Sequence, residues 1–385
     1  MTDLQNVGDL AGSTLSYIVP FLFVLCVVVF FHELGHFLVA RWCGVRVQAF
    51  SLGFGPELFG RTDKHGTRWR LSAVPLGGYV KFHGDENAAS VPSRERLEAM
   101  SPAERRASFY GQPVHNRAAI VAAGPIANFI LAILIFATIF WISGRPISEA
   151  KVDSVQPGSA AEVAGFQPGD VVLAIDGKEI ESFSDVQRVV SADAGAKLTF
   201  TIRRDGGELT LQATPRLQER KDPFGNPVQV GILGIARSND PGTVTRKTYG
   251  PVGALREGAQ ETWFIVERTL GYIGGVLVGQ QSANQISGPI RIAEISGQAA
   301  KLGFEVVMNL AAVLSVSIGL LNLFPIPLLD GGHLMYYALE AVRGRPLSER
   351  AQEFGFRVGM AIVLMLMLVA TWNDIVHVSG LFTSL

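Results

Sequence analysis

His32, Glu33 and His36 form an HExxH motif inside an apolar run that is long enough to cross a membrane. Two residues four positions apart lie on the same face of a helix, so both imidazoles can bind a single zinc ion. The glutamate beside the first histidine is placed to act as a general base toward the metal-bound water. Ionisable groups at bilayer depth are costly and usually mark function. The motif therefore predicts a zinc hydrolase site within a membrane, the alternative being a polar patch at the aqueous end of a transmembrane helix.

Catalytic zinc usually has three protein ligands, so the motif requires a third residue at the same depth. His65, His83 and His115 lie in a polar connection, and His377 lies at the far end of the last apolar run. Asp330, in the segment NLFPIPLLDGGH, is a carboxylate that follows an apolar run at the matching depth. A buried carboxylate is costly without a partner, and a cation is the simplest one. We therefore predict Asp330 as the third ligand, the alternative being a cap for the helix that follows.

The composition of the chain agrees with a membrane protein. Of its 385 residues, 48% are hydrophobic, and the formal net charge of −1 is too near neutral for a nucleic-acid-binding protein. Four runs are apolar and long enough to cross a bilayer, namely residues 17–40, 118–142, 306–329 and 358–372 with its flanks. Pro325 and Pro327 are expected to end the third helix before Asp330. A further stretch, residues 262–279, contains charges and is expected to lie at the membrane interface.

The distribution of Lys and Arg predicts which side of the membrane each connection occupies. Both residue types are absent before the first run and after the fourth, whereas they are frequent in the connections 41–117 and 343–357. We therefore expect these connections to be cytoplasmic, with both termini and the long segment between the second and third runs outside. The same topology puts His32, His36 and Asp330 at one depth, towards the cytoplasmic side.

Residues 147–215 have the composition of a water-soluble domain. Short β-branched runs alternate with Gly, Pro and Asp turns, and one helix is expected over residues 185–191. The segment PGSAAEVAGFQPGDVVLAIDG, residues 157–177, resembles bacterial PDZ domains. The resemblance implies binding of an extended chain or a free C-terminus by strand addition. The alternative is a spacer or gate that binds no peptide.

Several motifs, in the expected order, resemble the site-2 protease family, and within it the bacterial regulator-of-sigma intramembrane proteases. They are HELGH in the first run, AGPIAN in the second, the PDZ-like segment, Gly288-Pro289-Ile290 and NLFPIPLLDGGH. The well-known members have two tandem PDZ domains, whereas this sequence contains one such segment. The resemblance implies that His32, His36 and Asp330 bind zinc and that Glu33 is the base and proton shuttle.

The resemblance also implies which residues contact the substrate. Asn322, two helical turns before Asp330 if the helix persists, is expected to hold the substrate backbone, the alternative being a packing hydrogen bond. Residues 71–85 predict a β-hairpin, and residues 53–55 predict a second loop near the site. By resemblance the hairpin is membrane-associated and offers an edge strand to an unwound substrate, the alternative being a surface hairpin without that role. The hairpin residues assigned to the turn and to substrate binding are Gly77, Gly78, Tyr79 and Val80.

We therefore predict a polytopic α-helical membrane protein with four transmembrane helices, a membrane-associated β-hairpin and one extracytoplasmic α+β PDZ domain. It is expected in the bacterial cytoplasmic (inner) membrane. The predicted divisions are the first two transmembrane helices with the motif and the hairpin, the PDZ domain, a linker with an interfacial helix, and the last two transmembrane helices. Their boundaries are residues 1–142, 143–217, 218–304 and 305–385.

The predicted function is that of a zinc-dependent intramembrane endopeptidase. Its expected substrates are single-span proteins already trimmed by another protease, such as anti-sigma factors, or remnant signal peptides. Membrane lipids and a trimmed C-terminus bound by the PDZ groove are the other expected partners, with no nucleic acid. A metal transporter would need ionisable residues along several spans, whereas here they cluster at one depth. A non-catalytic PDZ adaptor is the main alternative, although it would have no use for Glu33.

Overall fold

The computed structural model describes residues 2–84, 99–221, 227–237, 244–279 and 287–383. The chain forms two compact units. The first comprises Met1–Phe136, Gly258–Val266 and Ile286–Leu385. The second comprises Ala137–Glu257 and Glu267–Gln285.

The described residues contain helices that range from 5 to 41 residues. In chain order they are α1 (Thr2–Trp42), α2 (Pro102–Ala107), α3 (Val114–Ile142), α4 (Ala160–Ala164), α5 (Phe183–Ala192), α6 (Pro251–Leu277), α7 (Pro289–Leu302), α8 (Phe304–Asn322), α9 (Asp330–Arg343) and α10 (Glu349–Thr383).

The strands fall into one sheet in the first unit and several in the second. They are β1 (Val47–Thr62), β2 (Arg68–Phe82), β3 (Arg145–Ser148), β4 (Ser154–Val155), β5 (Val171–Ile175), β6 (Lys178–Glu179), β7 (Leu198–Arg204), β8 (Gly207–Ala213), β9 (Arg216–Lys221), β10 (Pro227–Ile232), β11 (Ile235–Ala236) and β12 (Val244–Lys247).

Four of the described helices are long and apolar enough to cross a membrane, which confirms the four predicted runs. The candidate spans are Leu15–Trp42, Val114–Ile142, Phe304–Asn322 and Glu349–Val376. Helix α6, which contains the predicted interfacial stretch, is not among them. Its charged residues account for this difference, because each charge at bilayer depth carries a cost.

The segment between α8 and α9 is a short turn that carries Asp330 into α9. Helix α8 ends at Asn322, just before the two prolines, as the sequence predicted. Leu328 has a φ of 124°, which is costly for a residue with a side chain. Because the chain is not helical between Asn322 and Asp330, these residues are not two helical turns apart.

Glycines hold this turn against its neighbours, since the missing side chains allow backbone atoms to touch. A Cβ on Gly331 would overlap the carbonyl oxygens of Leu323 and Phe324. On α10, a Cβ on Gly359 would overlap the carbonyl oxygen of Pro327. The position of Asp330 is therefore fixed both by its own helix and by the last candidate span.

Strands β1 and β2 form a sheet that differs from the predicted hairpin. The first part of β1 has partners on both sides, because Leu52 is paired with both Gly78 and Leu71. The second part of β1 pairs with the start of β2, from Glu57 with Ser72 to Thr62 with Arg68. The sheet thus contains four segments in the order 78–82, 47–52, 68–72 and 57–62.

The predicted hairpin over residues 71–85, with its turn at Gly77 and Gly78, is wrong. Both glycines lie within β2, and the chain reverses at residues 63–67 instead. There the Asp63 carboxylate accepts hydrogen bonds from the backbone N–H groups of His65 and Thr67. An aspartate side chain that bonds the backbone two residues on stabilises a chain reversal at that position. Residues 53–55, predicted as a loop, lie within β1.

A buried cluster joins this sheet to helices α1 and α3. It includes Phe37 of α1, Phe50 and Phe82 of the sheet, and Ile120 of α3, each at most 9% exposed. Helix α9 is attached through Tyr337 of the same cluster. A salt bridge of 2.6 Å between Arg117 of α3 and Glu340 of α9 reinforces this attachment.

Helix α7 begins at the Gly288-Pro289-Ile290 segment, where a carboxylate from α10 satisfies its first backbone donors. Buried Asp374 accepts hydrogen bonds from the N–H groups of Gly288, Ile290 and Arg291 at 2.8, 3.0 and 3.2 Å. An anion at a helix N-terminus is stabilised by the exposed donors there. A Cβ on Gly288 would lie 2.6 Å from Oδ2 of Asp374, which explains the glycine.

The second unit is built on an antiparallel sheet in the order β6-β5-β7-β8. Phe200, Ile202 and Val172 of this sheet are buried together with Val186 of helix α5. The predicted helix over residues 185–191 is confirmed as α5, which begins after Ser182; the Ser182 hydroxyl accepts from the N–H of Asp185. Its apolar face covers the sheet, as expected for a two-layer α+β unit.

A buried ion pair fixes the start of β5 to the end of β7. The Asp170 side chain is 0% exposed and accepts two hydrogen bonds from the Arg204 guanidinium, at 2.6 and 2.7 Å. Hydrogen bonding to this carboxylate raises the pKa of Arg204 above its ordinary value. Arg203, the preceding residue, instead reaches the exposed Glu149 at 3.6 Å.

Replacing Arg204 with Gln is expected to destabilise the second unit by roughly 3 kcal/mol, because Asp170 would stay buried without its cation. The matched control, Arg203→Gln on the same strand, is expected to cost less than about 1 kcal/mol since its pair is exposed. Hydrogen exchange of β7 peptides in the purified chain measures both local free energies. Equal protection in the two variants would contradict the role of the buried pair.

Candidate metal centre

Helix α1 places His32 and His36 one turn apart, with both imidazoles directed to the same point. Their Nε2 atoms are 3.2 Å from each other, and both residues are only 9% exposed. The rings meet edge to face, with centroids 4.8 Å apart. This is the arrangement that four-residue spacing on a continuous helix produces, since α1 runs unbroken past both residues.

Asp330 reaches the two histidines from the first turn of α9. Its Oδ2 lies 3.2 Å from Nε2 of His32 and 3.5 Å from Nε2 of His36. The residue that caps α9 is Leu329, and no side-chain cap bond is formed there. The alternative role of Asp330 as a helix cap therefore has no support in its hydrogen bonding.

The donor set fits a metal ion. Among the described residues, His32, His36 and Asp330 form the one group of ligand-type side chains whose donor atoms lie within 4.8 Å of one another. Oδ2 of Asp330 is buried and has no hydrogen-bond partner among the described residues. Two imidazole nitrogens and one carboxylate oxygen are the ligands of many catalytic zinc sites, which keep a fourth position open.

Helix α3 holds the far side of each imidazole. Nδ1 of His36 lies 2.8 Å from the carbonyl oxygen of Ile120, and Nδ1 of His32 lies 3.2 Å from Nδ2 of Asn128. These contacts leave both Nε2 atoms facing Asp330. Metal-binding histidines are usually oriented through their second ring nitrogen in this way.

Two glycines allow α1 and α3 to approach closely at this point. A Cβ on Gly35 would overlap the carbonyl oxygen of Ala123, and a Cβ on Gly124 would overlap Nε2 of His36. Sequence reasoning used the AGPIAN segment for the family resemblance but assigned no role to Gly124 or Asn128. The available signal was spacing, because Ile120, Gly124 and Asn128 are four residues apart on one helix face.

Glu33 lies beside the sheet. A Cβ on Gly78 would lie 3.0 Å from Cγ of Glu33, 2.9 Å from Cγ1 of Val29 and 2.8 Å from the carbonyl oxygen of Ser51. Segment 78–82 therefore passes directly against the face of α1 that carries Glu33. A glycine is required at position 78 because the strand passes close to α1, and the chain does not turn there.

The other predicted substrate residues are distributed along β2 and α8. Gly77 lies against the Phe54 ring, and Tyr79 stacks on the same ring at a centroid distance of 6.2 Å. Val80 packs against the buried cluster that joins the sheet to α1. Asn322 is half-buried at the end of α8, and no hydrogen bond of its side chain is found among the described residues.

Comparison with known proteins identifies relatives of this chain. The model of peptidase family M50 matches residues 20–366. A Rhizobium meliloti protein named as a candidate zinc metalloprotease is 56% identical over 94% of this chain and 97% of its own length. Metalloprotease MmpA of Caulobacter vibrioides is 44% identical over 95% and 98% of the two chains. The regulator of sigma-E protease RseP of Escherichia coli is 32% identical over 92% and 97%.

Replacing Gly124 with Ala is expected to weaken zinc binding by roughly tenfold or more, because the methyl group would displace the His36 imidazole. Zinc per chain, measured by atomic emission after dialysis against a chelator, tests this expectation. Gly271→Ala is the matched control, since a Cβ at that helical position meets nothing within 4 Å. Wild-type zinc content in Gly124→Ala would show that the α1–α3 contact does not set the site.

Proposed function

Since the chain belongs to peptidase family M50, the site-2 proteases, and is a zinc metalloprotease, we propose that it hydrolyses a peptide bond within the membrane-spanning segment of a single-span protein. One observation carries this proposal. The donor atoms of His32, His36 and Asp330 converge beside helices apolar enough to cross a membrane, and the neighbouring Glu33 lies against Gly78 of the sheet.

In this proposal, His32 and His36 bind zinc through Nε2 and Asp330 binds it through a carboxylate oxygen. Bound zinc supplies a Lewis acid that polarises the scissile carbonyl and lowers the pKa of the attacking water. The three side chains contribute orientation. The two histidines are held by α3, and Asp330 is held by the glycine-lined turn.

Glu33 is the general base of the proposed reaction. Its carboxylate takes a proton from the attacking water as the new C–O bond forms. The same carboxyl then gives the proton to the amide nitrogen as the C–N bond breaks, which leaves a carboxylic acid and an amine. Proton transfer by a positioned side chain contributes typically 10²–10⁴-fold to such a rate.

Segment 78–82 is proposed to bind the substrate as an added strand. A transmembrane helix hides its peptide groups in its own hydrogen bonds, so it must unwind before hydrolysis. Within the described residues, segment 78–82 pairs only with 47–52, and its other edge is available to an extended chain. Gly78 brings this edge next to Glu33. Asn322, at the end of α8, is proposed to hold the substrate backbone from the other side.

The proposed topology follows the Lys and Arg distribution. Both termini and the second unit lie outside the bacterial inner membrane, and the metal centre lies towards the cytoplasmic side. The second unit acts as a PDZ domain that senses a trimmed C-terminus or excludes untrimmed proteins by size. The name of the E. coli relative favours anti-sigma factors as substrates, with remnant signal peptides as the second candidate class.

Glu33→Gln is expected to retain zinc but to lose about 10²–10⁴-fold of its activity, because the amide cannot accept the water proton. The substrate is a single-span protein with its outer domain already removed, co-reconstituted in membranes with wild-type or variant chain. Cleavage is read on gels, and zinc is measured on the same preparations. If neither chain cuts any trimmed substrate, the protease proposal fails and the non-catalytic adaptor is favoured.

A photo-crosslinking amino acid in place of Tyr79 is expected to capture the trimmed substrate, because position 79 lies on the proposed binding edge. The experiment uses the Glu33→Gln background so that the substrate persists. The same amino acid in place of Phe59 is the control, since segment 57–62 forms the opposite edge of the same sheet. Adducts at position 59 but not at 79 would place the substrate on the wrong edge for this proposal.

A further inference from the structure

Asn128 is a polar side chain in an apolar helix for which the proposed reaction has no direct use. It is 0% exposed and lies on α3, one turn beyond Gly124. Its carboxamide is adjacent to the imidazole of His32, with Nδ2 and Nδ1 3.2 Å apart. Burial of an amide in such surroundings is costly, so its contact with His32 requires an explanation.

The backbone of Asn128 is fixed by a third helix. The Ser315 hydroxyl of α8 donates a hydrogen bond of 2.8 Å to the carbonyl oxygen of Asn128. Gly319, one turn further along α8, would place a Cβ 3.1 Å from Cβ of Asn128. Asn128 therefore sits where α1, α3 and α8 meet, and its side chain has little freedom to turn away from His32.

The neighbouring histidine shows what such a contact does. The partner of His36 Nδ1 is a backbone carbonyl, which can only accept, so Nδ1 carries the proton, and in the neutral imidazole Nε2 keeps its lone pair. Asn128 can present either a donor or an acceptor to His32, because a 180° rotation exchanges its oxygen and nitrogen. In either orientation, one of the two amide atoms lacks a hydrogen-bond partner among the described residues. In this structure that atom is Oδ1. The tautomer of His32 thus decides the orientation.

We propose that Asn128 is a positioning residue for the metal centre, an inference that rests on the proposed zinc site. Its carboxamide oxygen accepts a hydrogen bond from the Nδ1–H of His32. This contact stabilises the tautomer whose Nε2 lone pair faces Asp330 and holds the ring in place. Asn128 thereby does for His32 what the Ile120 carbonyl does for His36. Because the acceptor at His32 is a side chain, its identity can be changed by mutation.

Two substitutions of similar size separate this role from packing. Asn128→Asp keeps an acceptor oxygen and is expected to stay within about threefold of wild-type zinc affinity, since carboxylates commonly orient zinc-binding histidines. Asn128→Leu fills the same space without an acceptor and is expected to lose about 10–100-fold in affinity. Zinc affinity is measured by competition with a chromogenic chelator on the full-length chain in detergent, so the readout needs no substrate.

Ser317→Ala is the matched control, because the Ser317 hydroxyl donates its hydrogen bond to the carbonyl oxygen of Val313 within α8 itself. It is expected to keep wild-type zinc affinity. A cobalt-substituted sample of each variant adds a ligand-field spectrum, which should change for Asn128→Leu and match wild type for Asn128→Asp and Ser317→Ala.

Equal losses of zinc affinity in Asn128→Asp and Asn128→Leu would overturn the inference, because packing alone would then explain them. Wild-type affinity and spectrum in Asn128→Leu would overturn it as well. Either result leaves the proposed protease intact as long as the wild-type chain binds zinc. A wild-type chain that binds no zinc would instead defeat the proposed site itself.

Discussion

The close approach of α1 to α3 is the constraint on which the metal centre depends. Two glycines remove the side chains that would keep these helices apart, one under the backbone of Ala123 and one under the imidazole of His36. At this separation the Ile120 carbonyl and the Asn128 amide can touch the outer nitrogens of the two histidines. Small residues permit such close packing between apolar helices. The hydrophobic effect does not drive helices together within a membrane, so side-chain size sets the distance between them.

The third donor depends on a different kind of packing. Asp330 follows a turn with a strained leucine, and strain persists only where the surroundings determine the conformation. Those surroundings are the carbonyl groups beneath Gly331 and the backbone contact between Pro327 and Gly359 of the last span. The metal centre therefore joins a rigid helix pair to a turn that is clamped from the opposite side.

The sequence was sufficient for features with a local or periodic signature. The HExxH spacing predicted that both histidines lie on one helix face. The four apolar runs predicted the candidate spans, and the two prolines predicted the end of α8. Asp330 was found by combining its position after an apolar run with the expected topology. The turn of the sheet was misplaced because Gly77 and Gly78 have the composition of a turn but serve close approach to α1. No pattern in the sequence indicated the proposed role of Asn128, because that role depends on a contact between helices far apart in sequence.

The distribution of the three donors along the chain has a consequence for biosynthesis. His32 and His36 enter the membrane with the first span, whereas the turn that carries Asp330 emerges from the ribosome only after the long middle segment. That turn gains its clamp from Gly359 still later, when the last span is inserted. A partly synthesised chain thus contains the HExxH motif without a complete ligand set. The candidate hydrolytic centre is therefore complete only after every residue from His32 to Gly359 has been synthesised.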